Sequence, residues 1–255
     1  MGREVLIAYP PQRIVSLVPS QTELLFDLGL ADQIVGLTKF CVHPAGAVKS
    51  KTKVGGTKKV DIELIRSLKP DLIIGNKEEN ERLQIETLMR EFPVWMSDIT
   101  TLKESLDMII AIGEMTGCPE KGNAIAKRIE NEFLSLSLLN RDQRLRVTYF
   151  IWKNPYMVAG ADTFIDDLLS RAGWENAVKH SRYPELSRDA IADAKPNLIF
   201  LSSEPYPFRE KHIAEFSEIC PAAKVVVVDG EMFSWYGSRL QLAAAYLKTL
   251  SANRG

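Results

Sequence analysis

Cysteine and histidine are scarce in this chain, and each scarcity removes a kind of chemistry. The three cysteines, Cys41, Cys118 and Cys220, are an odd number without metal-type spacing, and two of them directly precede proline, as packing residues at element ends do. Nothing here suggests a disulfide framework, although an oxidising compartment is compatible with it. The three histidines, His43, His180 and His212, are scattered, whereas direct capture of a bare Zn²⁺ or Mn²⁺ ion calls for several that converge. There is no G-x-S-x-G elbow, Walker loop or H-E-x-x-H, and Val54-Gly55-Gly56-Thr57 is too short for a dinucleotide fingerprint. The expectation is a protein without catalytic residues. An excess of one charge is also missing: a net charge of −1 gives no attraction to nucleic acid or acidic membranes. No stretch approaches the roughly 18 apolar residues of a membrane span. The start, MGREVLIAYPPQR, lacks the basic residues, long apolar run and cleavage site of a secretory signal. The chain is therefore expected to be cytosolic or to have a leader outside this sequence.

What is present is a repeat. Glu63 to Gly75 reads ELIRSLKPDLIIG, and Asp189 to Leu201, at an offset of 126 residues, reads DAIADAKPNLIFL. In each copy a capping residue, Asp61 or Ser187, opens a short helix with an acid in its first turn, and Lys-Pro ends that helix before an apolar strand. A second echo pairs ELLFDLGLADQIVG at 23–36 with DDLLSRAGWENAV at 166–178, each running from a helix through a Gly turn. With 255 residues there is room for two lobes of roughly 110 each. A duplicated α/β chain usually works in the crevice between its halves.

Periodicity supports that division. Strand, loop and helix alternate from Arg13 to Met96, as in a parallel sheet covered by helices on both faces. The loop after Leu37, TKFCVHPAGAVKSKTKVGGTKKV, is long, Gly- and Lys-rich and without period. From Thr101 to about Asn140 the pattern is helical only, broken at Cys118-Pro119. Strand and helix then alternate again from RVTYFIW to RLQLAAAYLKTL. The expected organisation is an N-terminal α/β lobe over 1–118, a stiff connecting helix over 119–142 and a C-terminal α/β lobe over 143–255.

Ligands of parallel α/β sheets gather outside the carboxyl ends of the strands. Those ends present free helix-start N–H groups near Ser20, Gln21 and Thr22, then Phe40 to His43, Gly55 to Thr57, Asn76 to Asn80, Asn154 to Met157, Ser202 to Tyr206 and Glu231 to Tyr236. Asn76 to Asn80 reads equally as ligand contact or as a polar helix cap. In Phe233-Ser234-Trp235-Tyr236-Gly237 three aromatics within four residues cannot share one helical or strand face, so a binding surface is expected there. Cys41-x-His43 could be half of a metal site but lacks a third ligand, leaving His43 as the one metal candidate. Glu63 and Asp189 read either as helix-dipole compensation or as a matched docking pair for basic side chains of a partner.

In order, RIVSLVPSQTELLFDLGL, VGGTKKVDIELIRSLKPDLIIGNKEEN, the long helix, NPYMVAG, SRYPELSRDAIADAKPNLIF and DGEMFSWYGSRLQLAAAYL resemble the helical-backbone substrate-binding proteins of ABC importers for cobalamin, ferric siderophores and haem. The likeness runs from residue 13 to about 250. It implies two Rossmann-like α/β lobes with parallel sheets joined by a single long helix, trapping a small molecule and presenting it to a membrane permease dimer. By resemblance, Glu63 and Asp189 are the lobe-tip acids that engage permease arginines. Phe40 and Tyr183 match aromatic contacts of the cobalamin site, and Glu231 matches an acidic one. Thr57 and Asn76 stand where the cobalamin binder carries tryptophans, and Met157 replaces an aromatic, so the large planes that suit a corrin are reduced. Ala172 and Lys248 lie near the places of the cysteines that pair in that relative. An anionic chelate or haem iron would look to Lys77, Arg209, Tyr183, Tyr236 or His43.

The resemblance thus implies a monomeric, non-enzymatic importer component without a covalent cofactor. Its expected ligand residues are Phe40, Thr57, Asn76, Met157, Tyr183, Glu231, Phe233, Trp235 and Tyr236. It would be periplasmic or membrane-tethered if a leader precedes it. The rival expectation is a cytoplasmic tetrapyrrole- or metal-handling enzyme of chelatase type, or a metallochaperone, with His43 and Glu78 or Glu231 as its working pair.

Overall fold

The computed structural model describes residues 4–137 and 145–252; the tail of the connecting helix expected over 138–142 lies outside the described residues. The chain packs as two compact units. The first is Met1–Ile99, Lys103–Glu130 and Trp235–Gln241, and the second is Thr100–Leu102, Asn131–Ser234 and Leu242–Gly255. This division differs from the continuous boundaries expected at 118 and 142, because residues 235–241 pack with the first unit.

In the first unit, β1 (Ile14–Ser16), α1 (Pro19–Asp27), β2 (Ile34–Leu37), β3 (Thr52–Lys53), α2 (Ile62–Leu68), β4 (Leu72–Asn76), α3 (Arg82–Leu88) and β5 (Val94–Ser97) follow in sequence. The strands form one parallel sheet in the order β3-β2-β1-β4-β5, with Ile14 opposite both Ile34 and Leu72. Every residue of β4 is buried, as expected of a strand covered on both faces, and Val15, Leu17, Ile65, Ile73, Ile85 and Leu88 build the core around it. The aperiodic loop contains the edge strand β3, too short to show a period. After α4 (Leu102–Met115), Cys118-Pro119 starts α5 (Pro119–Ser137), which enters the second unit after Glu130. α4 and α5 cross at Gly113 and Gly122, where a Cβ on Gly113 would lie 3.0 Å from the Gly122 Cα. Among the described residues no helix is long and apolar enough to cross a membrane.

The second unit contains β6 (Arg146–Trp152), β7 (Tyr156–Ala159), α6 (Phe164–Arg171), β8 (Glu175–Asn176), β9 (Glu185–Leu186), α7 (Arg188–Asp193), β10 (Leu198–Ser202), α8 (Ile213–Ile219), β11 (Lys224–Val228), α9 (Glu231–Ser234) and most of α10 (Leu240–Ala252). Its sheet runs β11-β10-β6-β7-β9, with β8 also beside β6. β11, β10, β6 and β8 run parallel; β7 pairs antiparallel with β6 and β9 antiparallel with β7, so the expected parallel sheet carries one reversed strand, β7, and β9 runs in the direction of β6. Only Lys153-Asn154-Pro155 joins β6 to β7, with Asn154 at φ 61°, and a three-residue connection can make only a hairpin.

The duplication is visible atom by atom. Asp71 accepts the backbone N–H of Arg13 at 2.8 Å, and Asn197 accepts that of Arg146 at 2.8 Å. The Arg13 guanidinium donates to the Leu68 carbonyl, and the Arg146 guanidinium to the Ala194 carbonyl, in each case at the end of the repeated helix. Lys69 and Lys195, each before proline, both end that helix in the left-handed region, at φ 45° and 46°. The weaker echo is a shared Schellman cap: Gly29 and Gly173 have φ of 88° and 74°, and Leu30 and Trp174 donate back to Leu25 and Leu169.

Candidate functional site

In the first unit, the turn after β1 is closed. Ser20, Gln21 and Thr22 are buried, and Thr22 Oγ1 bonds Ser16 Oγ at 2.7 Å and the Val18 carbonyl at 2.9 Å. Gly237 covers this helix start so closely that a Cβ there would be 2.4 Å from the Ser20 carbonyl oxygen. Of the expected free N–H groups, that of Thr22 is taken by the Val18 carbonyl at 2.9 Å, and residues 235–241 pack over the helix start. That segment is pinned by Arg239, whose guanidinium forks onto Glu23 at 2.9 and 2.5 Å with little exposure of either side chain. Arg239 also lies 5.1 Å from the Trp235 ring centroid, and His43 meets the same indole edge-on at 5.4 Å. Ser105 Oγ donates to the Tyr236 carbonyl at 2.7 Å.

These contacts correct the aromatic binding surface expected over 233–236. Trp235 and Tyr236 are buried anchors in the first unit. Phe233 is fully buried in the second, with Tyr149 at 4.9 Å and Phe200 at 6.0 Å. Asn76 is corrected as well. It is buried; its Nδ2 donates to Ser97 Oγ at 3.0 Å, and its Oδ1 accepts the N–H of Glu78 and Glu79 at 2.8 and 3.2 Å. Asn80 completes the scaffold through Asn76 N–H and the carbonyls of Leu17 and Thr57. Of the two readings of 76–80, the polar cap is the one realised.

What the first unit leaves open at the carboxyl ends is Phe40, 51% exposed, resting on Gly56 with the Lys39 ammonium 5.1 Å from its centroid, and half-buried Thr57. Lys77 is ion-paired with Asp98 at 2.5 Å. Half-buried Glu79 has its carboxyl pushed up by burial, with Lys58 pulling the other way. Burial also pushes up the Cys41 thiol, which touches Thr22 and Thr38 and is a packing residue.

In the second unit, Met157, Tyr183 and Glu231 are half-buried, at β7, before β9 and at the start of α9. Two residues there escaped the expected ligand set: Trp152, 41% exposed at the end of β6, and Tyr206, which meets it edge-to-face at 5.6 Å. In the sequence, Trp152 is signalled only as an indole closing the run RVTYFIW, and Tyr206 only as the end of the carboxyl-end stretch Ser202 to Tyr206. Lys153 and Tyr156 both bond Glu215, and that hydrogen bond holds the Lys153 ammonium above its usual range. A polar hollow of about 270 Å³ is lined by Thr100, Thr101, Asp162, Thr163, Asp166, Asp167 and Ser170. Its acids are already engaged: Asp167 by the Leu102 N–H and Arg171, Asp166 by Asn176, Asp162 by Ser181.

Glu63 and Asp189 occupy the first turns of α2 and α7 and are both exposed. Glu63 is bonded by Arg66, which also grips Glu91. Arg209 is exposed, and its backbone N–H donates to the Nδ1 of buried His212 at 2.9 Å. Among the described residues no group of three or more His, Cys, Asp or Glu is placed to hold a metal ion, and Cys41, Cys118 and Cys220 are all free.

Residues 14–219 match the periplasmic binding protein family. The vitamin B12-binding protein of Pectobacterium carotovorum is 27% identical over 240 residues, covering 92% of this chain and 86% of that protein. Among solved structures, the periplasmic heme-binding protein RhuT from Roseiflexus sp. RS-1 has a TM-score of 0.84 at 21% identity, over 95% of this chain and 98% of that one. The periplasmic vitamin B12-binding protein BtuF of Vibrio cholerae has a TM-score of 0.82 at 24% identity, over 96% and 98%.

Proposed function

Because this chain belongs to the periplasmic binding protein family, we propose that it is the extracytoplasmic substrate-binding component of an ABC importer, capturing a cobalamin-like or iron-chelate ligand for a membrane permease. The observation that carries this reading is the extent of the likeness to a vitamin B12-binding protein, which includes 92% of this chain and so both of its duplicated units. Residues at and beside the carboxyl ends of the strands supply the ligand contacts: Phe40 and Thr57 in the first unit, and Met157, Tyr183 and Glu231 in the second. These are two rings, a hydroxyl, a thioether and one acid, the surroundings a flat macrocycle with polar edges would need. Trp235 and Tyr236 support the first unit's face from beneath, and His43 meets the Trp235 ring edge-on. Glu63 and Asp189 dock to permease arginines. The protein acts by binding, as a monomer, without a covalent cofactor.

Calorimetric titration of the purified protein with cyanocobalamin, haem and a panel of ferric chelates tests the reading. Saturable one-to-one binding of one of these compounds is expected. Failure of every member of the panel to bind would overturn it.

A further inference from the structure

The planes that suit a flat ligand are depleted at Thr57, Asn76 and Met157, and the second unit places an aromatic plane elsewhere. Of the four tryptophans, Trp174 and Trp235 are buried and Trp95 is half-buried, while Trp152 is 41% exposed. An indole left in water forgoes much of the burial free energy of the largest side chain. Trp152 is the last residue of β6, between β10 and β7 in the sheet, so it stands at the carboxyl end where ligands of such sheets collect.

The ring is held in place. The Tyr206 N–H donates to the Ile151 carbonyl at 3.3 Å, and the phenol ring meets Trp152 edge-to-face at 5.6 Å and 72°. Behind Tyr206 stand Phe208 at 4.7 Å and His212 at 5.7 Å, and Phe208 continues to fully buried Phe216 at 5.8 Å. A file of rings thus runs from the core to the surface and ends in an exposed indole. An aromatic surface already ordered by its neighbours loses little rotamer freedom when something flat lies on it.

We propose that Trp152, braced by Tyr206, is a stacking platform for the face of the ligand macrocycle. The occupant is a single flat ring system rather than a protein, because one indole and one phenol fall far short of the roughly 800 Å² per partner that a stable protein interface buries. This inference rests on the reading of the chain as a macrocycle binder and adds a contact outside the expected set.

The test is titration of the wild type, Trp152→Ala and Trp152→Phe with cyanocobalamin and with haem, by calorimetry and by tryptophan fluorescence, with circular dichroism as the check on folding. Truncation is expected to weaken binding of the accepted compound about tenfold or more, while phenylalanine holds it within roughly threefold. Ligand-induced quenching is expected to shrink in Trp152→Phe, a readout that stands even if the alanine variant folds poorly. Wild-type binding with unchanged affinity in the alanine variant, or with unchanged quenching in the phenylalanine variant, would overturn the platform and leave the importer reading intact. Binding of neither compound by the wild type would overturn the platform, and the importer reading would then stand or fall on the ferric chelates.

Discussion

Asn76 spends both ends of its amide inside the chain, and the result is a loop that presents Glu79 in a fixed place beside Lys58. Burial disfavours the charged carboxylate and Lys58 only partly offsets this, so the folded-state pKa lies above the ordinary 4.5. The folded chain then binds more protons than the unfolded one near that pH. The stabilisation from this site is fully present below 4.5 and is lost as pH rises through the folded value. Glu79→Gln removes the titration and keeps the shape. Urea unfolding is expected to show the variant more stable than wild type at pH 7, with the difference shrinking toward pH 4. A difference that stays flat with pH, or grows on acidification, would contradict this account.

At the scale of the element, the repeated helices α2 and α7 end alike because Lys-Pro gives them no other good exit. Proline bars the preceding residue from continuing the helix, and Lys69 and Lys195 take a left-handed conformation that a Cβ makes costly. Glycine relieves that cost while adding freedom to the unfolded chain, so Lys69→Gly and Lys195→Gly are each expected to stabilise by about 0.5–1 kcal/mol. Denaturant midpoints of the two single variants and the double decide it, and near-additivity is expected because the sites lie in separate units. These ends were legible in the sequence because proline and capping residues act locally, and the same holds for the Gly29 and Gly173 caps. The two-residue strands β3, β8 and β9 were not legible, since no period fits in two residues. Nor was the fate of Phe233, Trp235 and Tyr236. Neighbours in sequence, they are divided between two cores, which an argument about one helical or strand face cannot foresee. Trp152 was passed over because a tryptophan ending an apolar strand reads as core.

For the whole molecule, duplication gives each lobe one acid at the same turn of the same helix, but not in the same state. Glu63 is held by Arg66, which Glu91 also grips, and this hydrogen bonding keeps the guanidinium firmly charged. Asp189 is exposed and has no ion pair among the described residues; its neighbour Arg188 acts on Tyr156 and Glu215 instead. A permease arginine meeting Asp189 displaces only water, whereas one meeting Glu63 must compete with Arg66. Asp189→Ala is therefore expected to weaken docking to the permease in nanodiscs about tenfold or more, at least as much as Glu63→Ala, and Arg66→Ala should tighten it. Ligand affinity, measured on the same preparations, should be unchanged in all three, as the proposed docking role of these acids requires. Full docking by a Glu63→Ala, Asp189→Ala double variant would remove the paired-acid reading. Weaker docking in Arg66→Ala would mean that the arginine holds Glu63 in place for the partner rather than competing for it.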